Sequence, residues 1–109
     1  MVSPFDVTIA TGESTATMTI TGELDLASAP KLRDACAGVL DQEPRVVRMD
    51  LAGLTFLDSS GISVLVEFQQ DLARRDAKLV LHRVGDRTAR VLEIAGLESF
   101  FERSDQPVE

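Results

Sequence analysis

The central segment of the chain, residues 45–61, reads RVVRMDLAGLTFLDSSG. Its first part, residues 45–51, is a short strand-like run that contains Val46, Val47, Met49 and Leu51, and residues 52–57 lead from it to residues 58–61. A helix is predicted to begin there, because many apolar residues follow at helical spacings. These apolar residues are too numerous to form only a narrow stripe along one side of the helix, which indicates that the helix is largely buried against a sheet. The segment therefore predicts a strand, a short loop and a buried helix.

The N-terminal part of the chain has the alternating pattern of a β-hairpin. Two runs in which every second residue is apolar are separated by the sequence TGES at residues 11–14. The apolar residues are Phe5, Val7 and Ile9 in the first run and Ala16, Met18 and Ile20 in the second. Alternation on both sides of a short polar turn predicts two antiparallel strands.

Three further elements follow from the same patterns. A first helix is indicated by apolar residues at helical spacing, with Ser28 as its predicted N-cap and Pro30 in its first turn. Its apolar residues are Leu32, Ala35, Cys36, Val39 and Leu40. Residues 78–83 contain the unbroken apolar run of an interior strand. A third helix is predicted from about Asp86 to Gly96, since glycine is common just after a helix end.

These elements predict a single α/β domain over residues 1–109. Its core spans about residues 5–101, and Phe100 and Phe101 are expected to fold back onto it. A tail at residues 104–109 is expected to be mobile, because it has little to bury. Strands that alternate with helices are joined by right-handed crossovers, so the later strands should be parallel. We expect a mixed, mostly parallel sheet of about four to five strands, packed against α-helices.

The composition excludes several classes of function. The 109 residues carry a formal net charge of -7, which argues against a protein that binds nucleic acid directly through its phosphates. The first five residues lack the basic and apolar stretches of a signal peptide, and no apolar run is long enough to cross a bilayer. We therefore expect a cytoplasmic protein that does not insert into a membrane.

The chain has one cysteine, Cys36, and one histidine, His82. A single cysteine cannot form a disulfide within the chain. One cysteine and one histidine also provide almost none of the residues that a zinc site or a Cys-His nucleophile pair requires. The spacing of Cys36 indicates core packing, and His82 is interpreted as a residue at a strand end or partly packed. No metal or cofactor is therefore predicted.

The sequence DSSG at residues 58–61 is the candidate site for chemistry. The first amides of a helix have no partners within the helix, so a phosphate on Ser59 would meet hydrogen-bond donors and the positive end of the helix dipole. Judged alone, such a tetrapeptide is more often a helix cap than a switch, because Asp58 and the serines are preferred N-cap residues and Gly61 allows another segment to approach closely. A serine hydrolase is disfavoured, because the motif Gly-x-Ser-x-Gly is missing and the single histidine lies in another segment.

Residues 21–25 (TGELD) and residues 50–61 (DLAGLTFLDSSG) together resemble the STAS domain of bacterial anti-sigma factor antagonists. The resemblance covers roughly residues 5–101, with both blocks in the expected order and spacing. It implies that Ser59 is phosphorylated by the partner anti-sigma factor, an ATP-dependent serine kinase. The unphosphorylated protein would bind that partner and release a sigma factor, and a serine phosphatase would restore it after phosphorylation.

The same resemblance assigns partner binding to Asp25, Asp58, Ser59, Ser60 and Gly61. Asp25 matches a position beside the phosphorylation site. Its interpretation as a turn residue near the first helix is almost as well supported. Ser60 matches a hydroxyl that is not ordinarily the acceptor, and Gly61 a small residue that keeps the helix start accessible. The partner, and not this chain, would bind the ATP. Sequence does not determine the oligomeric state, for which a monomer is expected and a weak dimer is the alternative.

Two other functions remain as alternatives. The chain could be a STAS regulatory subunit of a membrane complex that transports lipids or anions, without a kinase cycle. The two adjacent serines and the complete TGELD block favour the antagonist. An enzyme with Ser59 as its nucleophile ranks far below both, because no base or oxyanion site is evident.

Overall fold

The structure, a computed structural model, describes residues 5–108, which form one five-stranded sheet and three helices. In chain order the elements are β1 (Asp6–Thr11), β2 (Thr15–Leu24), α1 (Ala29–Asp41), β3 (Val46–Leu57), α2 (Ser59–Ala73), β4 (Lys78–His82), α3 (Asp86–Ile94) and β5 (Glu102–Ser104). The strand order is β1-β2-β3-β4-β5. Only β1 and β2 are antiparallel, and the other neighbours are parallel. The predicted fold class is confirmed.

The N-terminal hairpin has the register that its alternating pattern requires. Val7 lies opposite Ile20 and Ile9 lies opposite Met18. Since side chains alternate between the faces of a strand, these four residues share one face of the sheet. Ile20 and Met18 are fully buried on that face.

The core lies between that face of the sheet and the helices. Met18, Met49 and Leu81 occupy neighbouring positions on β2, β3 and β4 and are fully buried. The large side chains that complete the core are Leu24, Leu32, Leu51, Leu65, Phe68, Leu72, Leu79 and Leu92. Each leucine buried in this way contributes about 1.5–3 kcal/mol, so this layer holds α1 and α2 against the strands.

Cys36 belongs to this core, as its spacing predicted. It is buried, and burial raises the pKa of its thiol to about 12, with Arg33 opposing and Asp71 reinforcing that effect. A thiol with such a pKa is protonated at neutral pH and therefore a poor nucleophile.

β3 is longer than the sequence predicted, because it continues from Val46 through Gly53 to Leu57. The pairing of β2 with β3 shifts register twice, between Thr19 and Thr21 and between Gly22 and Glu23. A Cβ on Gly53 would lie 2.7 Å from Cγ2 of Thr21. Gly53 therefore permits a close approach inside the strand, where the sequence indicated a loop.

β5 was not predicted from the sequence. It holds three residues that pair in parallel with β4, and Phe101 is buried beside it while Phe100 stays about one-third exposed. His82 ends β4 and is more deeply buried than predicted, and its Nδ1 donates to the carbonyl oxygen of Gln106 at 2.8 Å. The mobility expected for residues 104–109 stays a prediction. Residues 1–4 and Glu109 lie outside the described residues.

Candidate functional site

The carboxyl ends of β2 and β3 meet at one edge of the sheet. Leu24 and Leu57 are paired there, and the amide nitrogen of Asp58 lies 3.3 Å from the carbonyl oxygen of Leu24, to which it donates. Asp25 and Asp58 each follow directly after these strands. The structure therefore brings the two predicted blocks together at one edge.

Asp58 is the N-cap of α2. Its backbone is extended, and its Oδ1 accepts hydrogen bonds from the amides of Ser60, at 2.9 Å, and Gly61, at 3.3 Å. These are two of the amides that have no partner within the helix. The capping interpretation of Asp58 is confirmed.

Ser59 is the first residue of α2, and it is exposed. Its carbonyl oxygen accepts a hydrogen bond from the hydroxyl of Ser63 at 3.0 Å, while within residues 5–108 its own hydroxyl has no hydrogen-bond partner. The Asp58 carboxylate accepts from the helix amides through Oδ1 and makes no hydrogen bond with the Ser59 hydroxyl within residues 5–108. Ser59 is therefore accessible from solvent at the start of α2.

Gly61 is buried where α2 packs onto the strand ends. A Cβ at this position would lie 2.5 Å from Cγ of Leu24 and 2.8 Å from Cδ1 of Leu57. The close approach predicted for this glycine is therefore confirmed, and the approaching groups are the two paired leucines. Ser60, beside it, is half-buried.

Asp25 organises the loop between β2 and α1. Its Oδ1 accepts from the amides of Ala27 and Ser28, both at 3.0 Å, as in an Asx turn. The hydroxyl of Ser28 donates to the carbonyl oxygen of Glu23 at 2.7 Å and accepts from the amide of Asp25 at 2.9 Å. Ser28 holds the N-cap position of α1 as predicted, but its side chain makes no capping hydrogen bond because it is engaged in this loop. The turn interpretation of Asp25 is thus confirmed.

The comparison with protein families matches residues 6–108 to the STAS domain. The chain belongs to this family. It is 36% identical over 83 residues to the anti-sigma-B factor antagonist of Listeria monocytogenes, a match that covers 76% of this chain and 73% of that protein. The family resemblance of the TGELD and DLAGLTFLDSSG blocks is thereby confirmed.

Solved structures have the same fold as this STAS domain. An anti-sigma factor antagonist from Mycobacterium paratuberculosis superimposes with a TM-score of 0.85 at 22% identity, covering 94% of this chain and 87% of that one. SpoIIAA, a Bacillus cell fate determinant solved in its phosphorylated form, has a TM-score of 0.70 at 18% identity, covering 94% of this chain and 93% of that one. At these identities the likeness establishes the fold.

The two segments of the STAS domain that meet at this edge carry only acidic charges. Residues 23–28 and 56–63 contain Glu23, Asp25 and Asp58 and neither lysine nor arginine.

Further along the same sheet, Asp50 is buried and pairs with Arg83 at 2.6 Å. Burial alone would raise the pKa of Asp50, but hydrogen bonds from Arg83 and the Ala52 amide outweigh it and hold the pKa below its usual value.

Sequence reasoning missed two exposed apolar side chains at this edge. Leu26 is 76% exposed and Phe56 is 43% exposed. The exposure of Leu26 could have been predicted, because this residue follows Asp25 in a turn. An apolar side chain in a turn has no strand or helix face through which to pack into the core.

Two properties of the STAS domain follow from the described residues as a whole. None of its helices is both long and apolar enough to span a bilayer. No group of three or more histidine, cysteine, aspartate or glutamate residues between positions 5 and 108 could hold a metal ion.

Proposed function

We propose that this chain is an anti-sigma factor antagonist that is switched by phosphorylation of Ser59. In its unmodified form it binds an anti-sigma factor and so releases a sigma factor. The anti-sigma factor acts as an ATP-dependent serine kinase on Ser59, and a serine phosphatase reverses the modification. The chain itself is a binding module rather than an enzyme, and it works in the cytoplasm.

The observation that carries the proposal is the exposure of Ser59 at the start of α2. The family membership and the antagonist relatives support the same function. A kinase can reach this hydroxyl without unfolding the helix, because the residues that cap and pack the helix start are Asp58 and Gly61. Modification would therefore change the surface while the core stays intact.

Asp58 determines how a phosphate on Ser59 would act. Its Oδ1 already accepts from the amides of Ser60 and Gly61, which are the donors that a phosphate at the helix start would otherwise use. A phosphate adds about -1.5 to -2 charges and would be repelled by this carboxylate. We therefore expect the phosphate to project from the acidic edge and to oppose docking directly.

The neighbouring serines differ from Ser59 in accessibility. Ser60 is half-buried, and the hydroxyl of the exposed Ser63 donates to the carbonyl oxygen of Ser59. Both are therefore poorer acceptors, and the variants Ser60→Ala and Ser63→Ala serve as matched controls.

The test is phosphorylation by a candidate anti-sigma kinase with ATP, followed by intact mass measurement and site mapping. We expect one phosphate, located on Ser59. The variant Ser59→Ala should take up none, whereas Ser60→Ala and Ser63→Ala should be modified like the parent. A phosphate at another residue, or none with a kinase that binds the chain, would contradict the proposal.

A STAS subunit of a membrane transport complex was the alternative from the sequence. The relative with 36% identity is an anti-sigma factor antagonist, which favours the first function. Copurification of the chain with transporter subunits, together with failure to bind anti-sigma factors, would favour the alternative.

A further inference from the structure

Leu26 is 76% exposed, in the loop that joins β2 to α1. Exposure alone assigns no role, because isolated apolar residues are common on protein surfaces. Three properties set Leu26 apart: the rigidity of its loop, its position beside Ser59 and the charge around it.

The loop is held on both sides of Leu26. Asp25 on one side accepts hydrogen bonds through its Oδ1 from Ala27 and Ser28 on the other. The Ser28 hydroxyl ties the loop back to the carbonyl oxygen of Glu23, and the Ala29 amide donates to the carbonyl oxygen of Asp25 at 2.8 Å. The backbone therefore holds the Leu26 side chain outward, which reduces the entropy that binding would cost.

The loop is also continuous with the candidate phosphorylation site. The Asp58 amide is bonded to the carbonyl oxygen of Leu24, so the segment that follows Leu24 and the segment that follows Asp58 leave the sheet side by side. These two segments, residues 23–28 and 56–63, carry Glu23, Asp25 and Asp58 and neither lysine nor arginine. A partner that fits this surface offers an apolar recess bordered by basic groups.

We infer that Leu26 inserts into an apolar recess of the anti-sigma factor and that Asp25 is a positioning residue that holds it there. This inference rests on the proposed function and names a contact within it. Asp25 would then act through the loop, because its Oδ1 accepts from the amides of Ala27 and Ser28. The phosphate on Ser59 would then oppose binding beside this apolar contact.

The test compares Leu26→Ser with Ile94→Ser in binding to an anti-sigma factor that binds the parent chain. Ile94 is a matched control, because it is 77% exposed and ends α3. Since α3 runs from the carboxyl end of β4 to the amino end of parallel β5, Ile94 lies toward the opposite edge of the sheet. We expect Leu26→Ser to weaken binding about 10- to 100-fold, as loss of a buried leucine contact implies, and Ile94→Ser to leave it unchanged.

The positioning role of Asp25 is tested by Asp25→Ala and Asp25→Asn. Asparagine keeps an acceptor oxygen for the loop amides but lacks the charge, so Asp25→Asn should retain most of the binding that Asp25→Ala loses. In a chain that already carries Leu26→Ser, Asp25→Ala should weaken binding little further. Thermal unfolding of each variant would verify that it is folded.

The outcomes separate this inference from the function on which it rests. If anti-sigma factors fail to bind the parent chain, the proposed function is wrong. If they bind the parent and Leu26→Ser equally, or if Ile94→Ser weakens binding as much as Leu26→Ser, only the Leu26 contact is overturned. Equal losses from Asp25→Asn and Asp25→Ala would assign a direct charge contact to Asp25 instead of positioning.

Discussion

The amide of Asp58 donates a hydrogen bond to the carbonyl oxygen of Leu24, 3.3 Å away. This bond extends the pairing of β2 with β3 one step beyond Leu24 and Leu57. It joins two loops that are more than 30 residues apart in the chain into one surface. Asp25, Leu26 and Ser59 consequently belong to one candidate binding face.

Gly61 is expected to be essential for the packing of α2 on the strand ends. In Gly61→Ala, the new methyl group would overlap Leu24 and Leu57, which should lower the free energy of unfolding by about 1–3 kcal/mol. Urea denaturation measures this loss. The control is Gly38→Ala in α1, where a Cβ meets nothing within 4 Å, so a gain of about 0.5–1 kcal/mol is expected from helix propensity. Equal effects of the two substitutions would contradict the packing role.

The N-cap of α2 is expected to depend on the acceptor oxygen of Asp58 more than on its charge. Asp58→Ala removes the acceptor for Ser60 and Gly61 and should cost about 1 kcal/mol in the free energy of unfolding. Asp58→Asn keeps an acceptor and should be close to the parent. If Asp58→Asn proved as unstable as Asp58→Ala in urea denaturation, the charge of Asp58 and the helix dipole would be the larger contribution.

The ion pair of Asp50 with Arg83 is expected to make stability depend on pH in the acid range. The pKa of Asp50 is lowered in the folded state, because hydrogen bonds from Arg83 and Ala52 outweigh its burial. The stabilisation is therefore complete above the unfolded-state pKa of about 3.9 and is lost as the pH falls through the folded-state pKa. Asp50→Asn should unfold at lower urea concentration than the parent at neutral pH, and the difference should shrink below about pH 4.

A matched control for this pH dependence is Glu102→Gln. Glu102 pairs with Lys78 at 3.5 Å, but both side chains are more than half exposed, so the substitution should change stability little at any pH. A difference between the parent and Asp50→Asn that stayed constant down to about pH 3 would show that the ion pair does not carry the effect.

The parts of the fold that were predicted from the sequence are those governed by local periodicity. The alternation of Val7 and Ile9, the helical spacing of Leu32 and Cys36, and Gly96 at the end of α3 each report on a nearby backbone conformation. β5 was missed because its three residues carry no pattern of their own, and only pairing with β4 makes them a strand. The continuation of β3 through Gly53 was missed for a similar reason, since it depends on the approach of Thr21.

The candidate site was predicted in part. Asp58 and Gly61 have the local roles that their residue types favour, and the resemblance singled out Ser59 and Asp25. The hydrogen bonds of Asp25 within its own loop and the position of Leu26 beside Ser59 could not be predicted, because they depend on how β2 and β3 end side by side. The assignment of these residues to partner binding stays a prediction.

The effect of a phosphate on Ser59 is the central point of the proposed function. Ser59→Ala should bind the anti-sigma factor whether or not ATP is present, because it has no acceptor hydroxyl. Ser59→Asp should bind more weakly than the parent, since docking would have to remove an additional carboxylate from water.

The most direct measurement is titration calorimetry of one anti-sigma factor with the unmodified chain and with the chain phosphorylated on Ser59. We predict that the phosphorylated form binds at least about tenfold more weakly, and that phosphatase treatment restores the affinity. Equal affinity of the two forms would contradict the proposed switch.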